Sequence, residues 1–257
     1  MTSSSYRIAV VFLHPACNMT CSFCVTENGM DTMRYDQAAQ LLDDLKQRGI
    51  DNIVLGGGEP FAWPHDTVAL AATAKSHGFF VQIGTNGIAM PESYPSLACF
   101  DRYVLPLDSV DASVHNALRH HGPGHHALIL DRLKALLSAR KSVTVSTVVT
   151  SQNVHGLPEL AELLANYQQR GGQLHGWHLY KFIPEGRGGR DNASWLDISP
   201  QVYDAACADV KRRALGLTVF KRKDMMHSKT VDFFWFEGGV LCAGSEVWGR
   251  RASPGLS

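Results

Sequence analysis

Cys17, Cys21 and Cys24 are the residues whose type and spacing most directly imply chemistry. They fall in the run His14-Pro-Ala-Cys-Asn-Met-Thr-Cys-Ser-Phe-Cys24, a C-x3-C-x2-C pattern. Thiolates this close in sequence bind one metal centre. A [4Fe–4S] cubane held by three cysteines leaves one iron open to a small molecule. Zinc is the competing reading, and it needs a fourth ligand, for which His14 is nearest.

Composition narrows the setting. Lys plus Arg and Asp plus Glu are 24 each, so overall charge points to neither a nucleic-acid polymer nor a membrane surface. The start, Met-Thr-Ser-Ser-Ser-Tyr-Arg, lacks the basic and apolar regions of a signal peptide, and the apolar run Ile8 to Leu13 is too short to span a bilayer. Six cysteines with three bunched in one loop read as reduced, metal-binding and cytoplasmic. A length of 257 residues with 45% hydrophobic content suits one large α/β core.

The elements that must position the cysteines alternate in type. Ile8–Leu13 is a β-branched apolar run, read as a buried parallel strand that delivers the chain into the cysteine loop. Tyr35–Arg48 carries Ala38, Leu41, Leu42 and Leu45 on one helical face and stops at Gly49. Further strands are expected at Asn52–Leu55, Phe79–Ile83, Tyr103–Leu107, Val143–Thr150 and His175–Ile183. Helices are expected near 66–76, 126–140, 157–170 and 200–215. Six β/α alternations argue a parallel sheet with helices outside. Every distinctive loop follows a strand, which places them together on the C-terminal rim.

The cysteine run, with the aromatic Phe23 before its last cysteine, resembles the signature of the radical S-adenosylmethionine (SAM) enzymes. Gly57-Gly58-Glu59-Pro60, after the second strand, resembles that family's GGEP motif. The resemblance covers roughly residues 7 to 190 and points to the MoaA-like/viperin-like branch. It implies a partial (β/α)6 TIM-type barrel, and with a short C-terminal extension the chain is expected to divide into a core at 1–198, a helix and hairpin covering the barrel at 199–251, and a flexible tail at 252–257. It also implies a [4Fe–4S] cluster on Cys17, Cys21 and Cys24, with SAM on the open iron, reductively cleaved to a 5′-deoxyadenosyl radical. An external one-electron donor of flavodoxin or ferredoxin type follows from that chemistry.

Cofactor contacts follow residue by residue. The resemblance assigns SAM to the backbone of Gly57 and Gly58, with Glu59 as an acceptor for its ammonium group and Pro60 closing the turn. Phe23 would shield the cluster, and Asn86, in Gly84-Thr-Asn-Gly87, would line the SAM cavity. Strand alternation lets only one of Ser146 and Thr147 face the interior, and Ser146 is preferred, with Asn153 second. Backbone near Ile183 would meet the adenine, and Asp108, Ser109, His115 and Arg119 resemble a family pattern after the fourth strand. The histidines around Gly122-Pro-Gly124 are read as loop residues rather than ligands.

The remaining distinctive residues bear on the substrate. Arg187, in a loop resembling the family's P-x-GR, offers a bidentate fork for a carboxylate or phosphate, and Lys221 and Arg222 add local positive charge. The basic residues favour a small metabolite, phosphorylated or nucleotide-like, whereas the P-x-GR loop and the Gly-Cys242 turn favour the alternative, a peptide. Met225, Met226 and the aromatic run Phe233 to Phe236 supply a soft C-terminal surface. Cys242 resembles the turn opening an auxiliary-cluster domain, but no cysteine follows it, so one cluster is expected.

Overall fold

The computed structural model describes residues 7–213, 215–225, 228 and 230–251; Met226 and the 252–257 tail lie outside the described residues. Strands and helices alternate: β1 (Ile8–Phe12), α1 (Tyr35–Gln47), β2 (Asn52–Gly56), α2 (Thr67–Ser76), β3 (Phe80–Gly84), β4 (Arg102–Pro106), α3 (Ala112–Arg119), α4 (His125–Ser138), β5 (Ser142–Val149), α5 (Leu157–Gln169) and β6 (Gln173–Lys181). The chain continues through α6 (Gly186–Gly189), α7 (Ala193–Leu196), α8 (Pro200–Arg212), β7 (Val219–Arg222), β8 (Val231–Glu237), β9 (Val240–Ala243) and α9 (Gly244–Arg251). The six strands expected from the sequence appear to within about two residues at each end, the ordinary scatter of element boundaries.

The strand order is β7-β6-β5-β4-β3-β2-β1-β8-β9, parallel throughout except for the β8–β9 hairpin. β7 and β9 do not pair with each other, so the sheet curls as a partial barrel without closing. The hairpin expected as a cover is part of the barrel wall: β8 runs parallel to β1, from Ile8↔Val231 to Val11↔Phe234.

Two faces of each strand have different fates. Ala9, Val11, Ile53, Leu55, Val81, Ile83, Tyr103, Leu105, Val143, Val145, Trp177 and Leu179 are buried in the core. Alternate residues such as Val10, Val54, Gln82, Arg102 and His178 line the barrel lumen instead. This is the period-two consequence of pleating. Helix α1 buries Ala38, Leu41, Leu42 and Leu45, the i, i+3, i+4, i+7 face read from the sequence. Helix α3 is capped by Asp111, which accepts from Ser113 N and Val114 N, and α8 starts on Ser199 with Pro200 at its first position.

Candidate active site

Strand β1 ends at Phe12, and the chain then forms the cysteine loop. Two glycine-rich segments clamp that loop. After β2, Gly58 N donates to His14 O at 2.7 Å and Glu59 N to Ala16 O at 2.9 Å. A Cβ on Gly58 would lie 1.8 Å from Ala16 O, and one on Gly57 (φ +118°) 2.7 Å from His14 O. Only glycine permits that approach. After β6, Gly188 N donates to Cys24 O at 3.0 Å, and a Cβ there would lie 2.3 Å from Cys21 O. Arg187 completes this second clamp, its Nη1 donating to Pro15 O at 2.7 Å. Gly57 and Gly58, expected from the sequence to meet SAM, also approach the cysteine loop itself.

The clamped loop forms one wall of a cavity of ≈ 290 Å³. Of the residues singled out from the sequence, Cys17, Cys21, Cys24, Phe23, Gly57, Gly58, Asn86, Ser146, Ile183 and Arg187 all line it. Met19, Thr85, Arg119, Tyr180 and Lys181 join them. Thr85 stands in the Gly84–Gly87 motif beside Asn86, whereas Tyr180 and Lys181 carry no motif, and only strand alternation and rim position could have found them. Thr147, pointing the other way, is buried, donating to Leu107 O and accepting from Trp177 Nε1 at 2.8 Å.

Glu59, Pro60 and Asn153 are not among the lining residues. The fully buried Glu59 carboxylate accepts from Thr85 Oγ1 (2.7 Å), Asn86 N (2.7 Å) and Phe61 N (3.1 Å). It therefore ties the β2 rim to the β3 rim. Burial pushes its carboxyl above the usual range, and those three donors oppose the push. Asn153 donates to Asp108 O and Val148 O, both at 2.9 Å, and accepts from Thr150 N, bracing the turn after β5.

A hydrogen-bonded chain of fixed direction supports Asn86. Asp108 N donates to His115 Nδ1 at 3.1 Å, so that nitrogen carries no proton and the proton sits on Nε2. Nε2 then donates to His125 Nδ1 at 2.8 Å, and His125 Nε2 donates to Asn86 O at 2.9 Å. The Asp108 carboxylate lies 3.7 Å from His115 Nδ1, but a nitrogen already accepting from Asp108 N leaves it no proton to receive; the carboxylate instead accepts from Arg119 Nε at 2.6 Å. Asn86 in turn directs Nδ2 to Asn18 Oδ1 at 2.6 Å, with Cys17 Sγ 3.6 Å away. Behind Cys21, the Arg119 guanidinium lies 4.7 Å over the Phe23 ring, and its Nη1 is 4.0 Å from the sulfur.

Burial holds His115 down to about 3 and His125 to about 4, so both are neutral near pH 7. Burial similarly lowers His178, in the barrel lumen, to about 3. The unfolded chain takes up protons that the folded chain refuses, so stability is lost as pH falls from about 6.5 toward 4. Thermal melts across that range are expected to show a falling midpoint, with a shallower fall in His125→Gln; a flat wild-type profile would contradict this.

The donor set fits an iron–sulfur cluster. Three thiols from one loop share one cavity wall, and that wall carries Arg119, Lys181 and Arg187 but no carboxylate. Burial raises Cys17 and pushes Cys21 up to about 11, so loading a metal displaces protons from them. The zinc reading finds no fourth ligand in the cavity: His14 is buried outside it, with its Nε2 donating to Glu59 O at 2.7 Å. Among the described residues no group of three His, Cys, Asp or Glu converges on a single-ion site. That includes the histidines of the 115–126 segment.

Residues 11–164 match the profile of the Radical SAM superfamily. The chain belongs to the radical SAM superfamily. It is 31% identical over 219 residues to mycofactocin maturase MftC of Mycobacterium tuberculosis, covering 80% of this chain and 53% of that protein. The AdoMet-dependent heme synthase of Methanosarcina barkeri is 26% identical over 208 residues, covering 77% of this chain and 56% of that protein. The chain thus spans about half the length of these curated relatives. Streptococcus suis SuiB, solved bound to its precursor peptide SuiA, shares the fold: TM-score 0.71 at 14% identity, covering 90% of this chain and 57% of that one. The cofactors of radical SAM enzymes are a [4Fe–4S] cluster and SAM, which agrees with the donor set above. No helix of the described residues is long and apolar enough to cross a membrane.

Proposed function

We propose that this chain is the catalytic core of a radical SAM enzyme in which Cys17, Cys21 and Cys24 hold one [4Fe–4S] cluster and SAM occupies the adjoining cavity. One observation carries the reading: the three cysteines, Gly57 and Gly58, Asn86, Ser146 and Ile183 come from separate stretches of the chain and line the same ≈ 290 Å³ cavity. When bound and reduced by an external one-electron donor, the cluster and SAM together supply a 5′-deoxyadenosyl radical.

The chain's own residues hold and shield. Phe23, buried beneath Arg119, keeps water from the cysteine wall. Asn86, fixed by Glu59 and the His115–His125 chain, presents its side-chain amide beside Cys17. Ser146 offers a hydroxyl for SAM, and Arg119, Lys181 and Arg187 supply a positive wall for its carboxylate and for the cluster's negative charge. Glu59, already accepting three hydrogen bonds, contributes by fixing Thr85 and Asn86.

The substrate reading shifts toward a peptide. The preference for a small metabolite over a peptide, drawn from basic residues, finds no support in the comparisons: one relative is named a maturase and one fold neighbour holds a precursor peptide. A metabolite remains the second reading because of the cations lining the barrel lumen, described below.

The test is anaerobic reconstitution with iron and sulfide, followed by SAM and dithionite, with 5′-deoxyadenosine as the readout. Wild-type protein is expected to become brown and form it. A Cys17/Cys21/Cys24→Ala variant is expected to fall to the protein-free level. A wild-type protein that takes up no cluster would sink the proposal.

A further inference from the structure

Beneath the SAM cavity the inward-facing rows of the barrel do not fill its interior. They enclose a lumen of ≈ 1030 Å³, whereas the interior of a closed (β/α) barrel is ordinarily a packed core. Val104, Tyr180 and Met225 line both this lumen and the smaller cavity, so the two spaces share a wall. We propose that the lumen is a substrate site for an oxyanion, carboxylate or phosphate, which Arg102 of β4 and Arg222 of β7 hold between them. The inference rests on the radical SAM reading only for what lies above the lumen.

Both arginines are set for a ligand rather than for a structural ion pair. Among the described residues no carboxylate forms an ion pair with either. Arg102 is held in place by neutral partners: Nε donates to Ser142 Oγ at 3.0 Å, Nη1 to Gln82 Oε1 at 3.4 Å, and the guanidinium lies 4.9 Å over the Phe80 ring. A guanidinium has five N–H donors, so most of its donor capacity is left over at the lumen wall. Arg222 lies 5.2 Å over the Phe220 ring. Its neighbours differ: Lys221 and Lys223 both pair with Asp204, at 2.6 and 2.5 Å. The one acid that faces this basic stretch from α8 therefore neutralises the two lysines and leaves the arginine between them.

His178 reports the resulting field. It lies on β6 with Nδ1 3.2 Å from Tyr180 Oη, and besides burial the charges that hold it neutral are those of Arg222, His175 and Arg102. Two half-buried guanidinium groups, neither in an ion pair among the described residues, thus share a recess with a neutral histidine, and Asp224 is the carboxylate residue that lines it with them. An oxyanion there gains charge-assisted, forked hydrogen bonds and offsets the cost of desolvating both guanidinium groups. Held at its anionic end in the lumen, a substrate would extend past Val104 and Tyr180 toward the SAM cavity. Binding energy remote from the reacting carbon would then fix a C–H in place for abstraction.

The experiment is thermal unfolding of the anaerobically reconstituted protein in sodium glutarate and, separately, inorganic phosphate, with ionic strength matched by sodium chloride. A saturable rise in midpoint is expected with at least one anion; glutarate alone would assign a carboxylate, and phosphate alone a phosphate ester. Arg102→Gln and Arg222→Gln are each expected to weaken the apparent affinity about tenfold or more. Because the Arg222 side chain makes no hydrogen bond among the described residues, its variant keeps the test decisive should Arg102→Gln fold poorly. Protein before reconstitution must respond equally, which separates failure of this site from failure of the cluster reading. No saturable rise with either anion, or an unchanged rise in both variants, would overturn the proposal.

Discussion

Gly58→Ala is expected to abolish cluster loading and to destabilise the fold. The added Cβ would lie 1.8 Å from Ala16 O and 2.5 Å from Ala16 C, both backbone atoms. Neither moves without displacing the loop that carries Cys17, and the Gly58 N to His14 O bond holds the two segments together on the other side. Overpacking typically costs about 1–3 kcal/mol, and a backbone clash this deep belongs at or beyond the upper end. Gly56→Ala is the matched control: its Cβ would meet nothing nearer than Val10 Cγ1 at 4.0 Å. Urea midpoints together with iron content after reconstitution distinguish the two. A Gly58→Ala protein that loads iron like wild type would show that the clamp does not position the cysteines.

Asp108→Ala is expected to lower stability by about 3–5 kcal/mol, the range for leaving one member of a buried ion pair uncompensated. The Asp108 side chain has no exposed surface and that of Arg119 is 11% exposed. The carboxylate also accepts from Val148 N at 3.0 Å, so its loss unties β5 as well as Arg119. Arg119 lies against both Phe23 and Cys21, so the cysteine wall is expected to loosen with it. By contrast, Arg7→Ala, which breaks the exposed Arg7–Asp51 pair, is expected to leave the urea midpoint unchanged. Equal stability of Asp108→Ala and wild type would remove the ion pair from the account of the site.

Much of the site was legible because its residues stand at the ends of elements with strong local signals. The cysteine spacing, the glycine runs after β2 and β6, and the alternation that puts Ser146 inward and Thr147 outward are local facts. The strand at Ile8–Leu13 was legible as a strand but not as a wall. Its apolar run suggested burial on both faces, whereas Ala9 and Val11 face the core while Ile8, Val10 and Phe12 face the lumen. Hydrophobicity does not distinguish a helix-covered face from one lining a cavity.

By itself the sequence determined the order of the first six strands and of the longer helices, the three-cysteine loop and the rim on which the site stands. Each depends on period, spacing or a backbone conformation that only glycine adopts readily. The tertiary structure alone decided which polar groups already have partners. Glu59 accepts from Thr85 and Asn86, whereas Asp204 engages Lys221 and Lys223 but not Arg222. Arg102 and Arg222 line one lumen although 119 positions separate them, because the barrel brings β4 and β7 around a common space. Partnerships between residues this far apart are fixed by packing, and no local pattern encodes them.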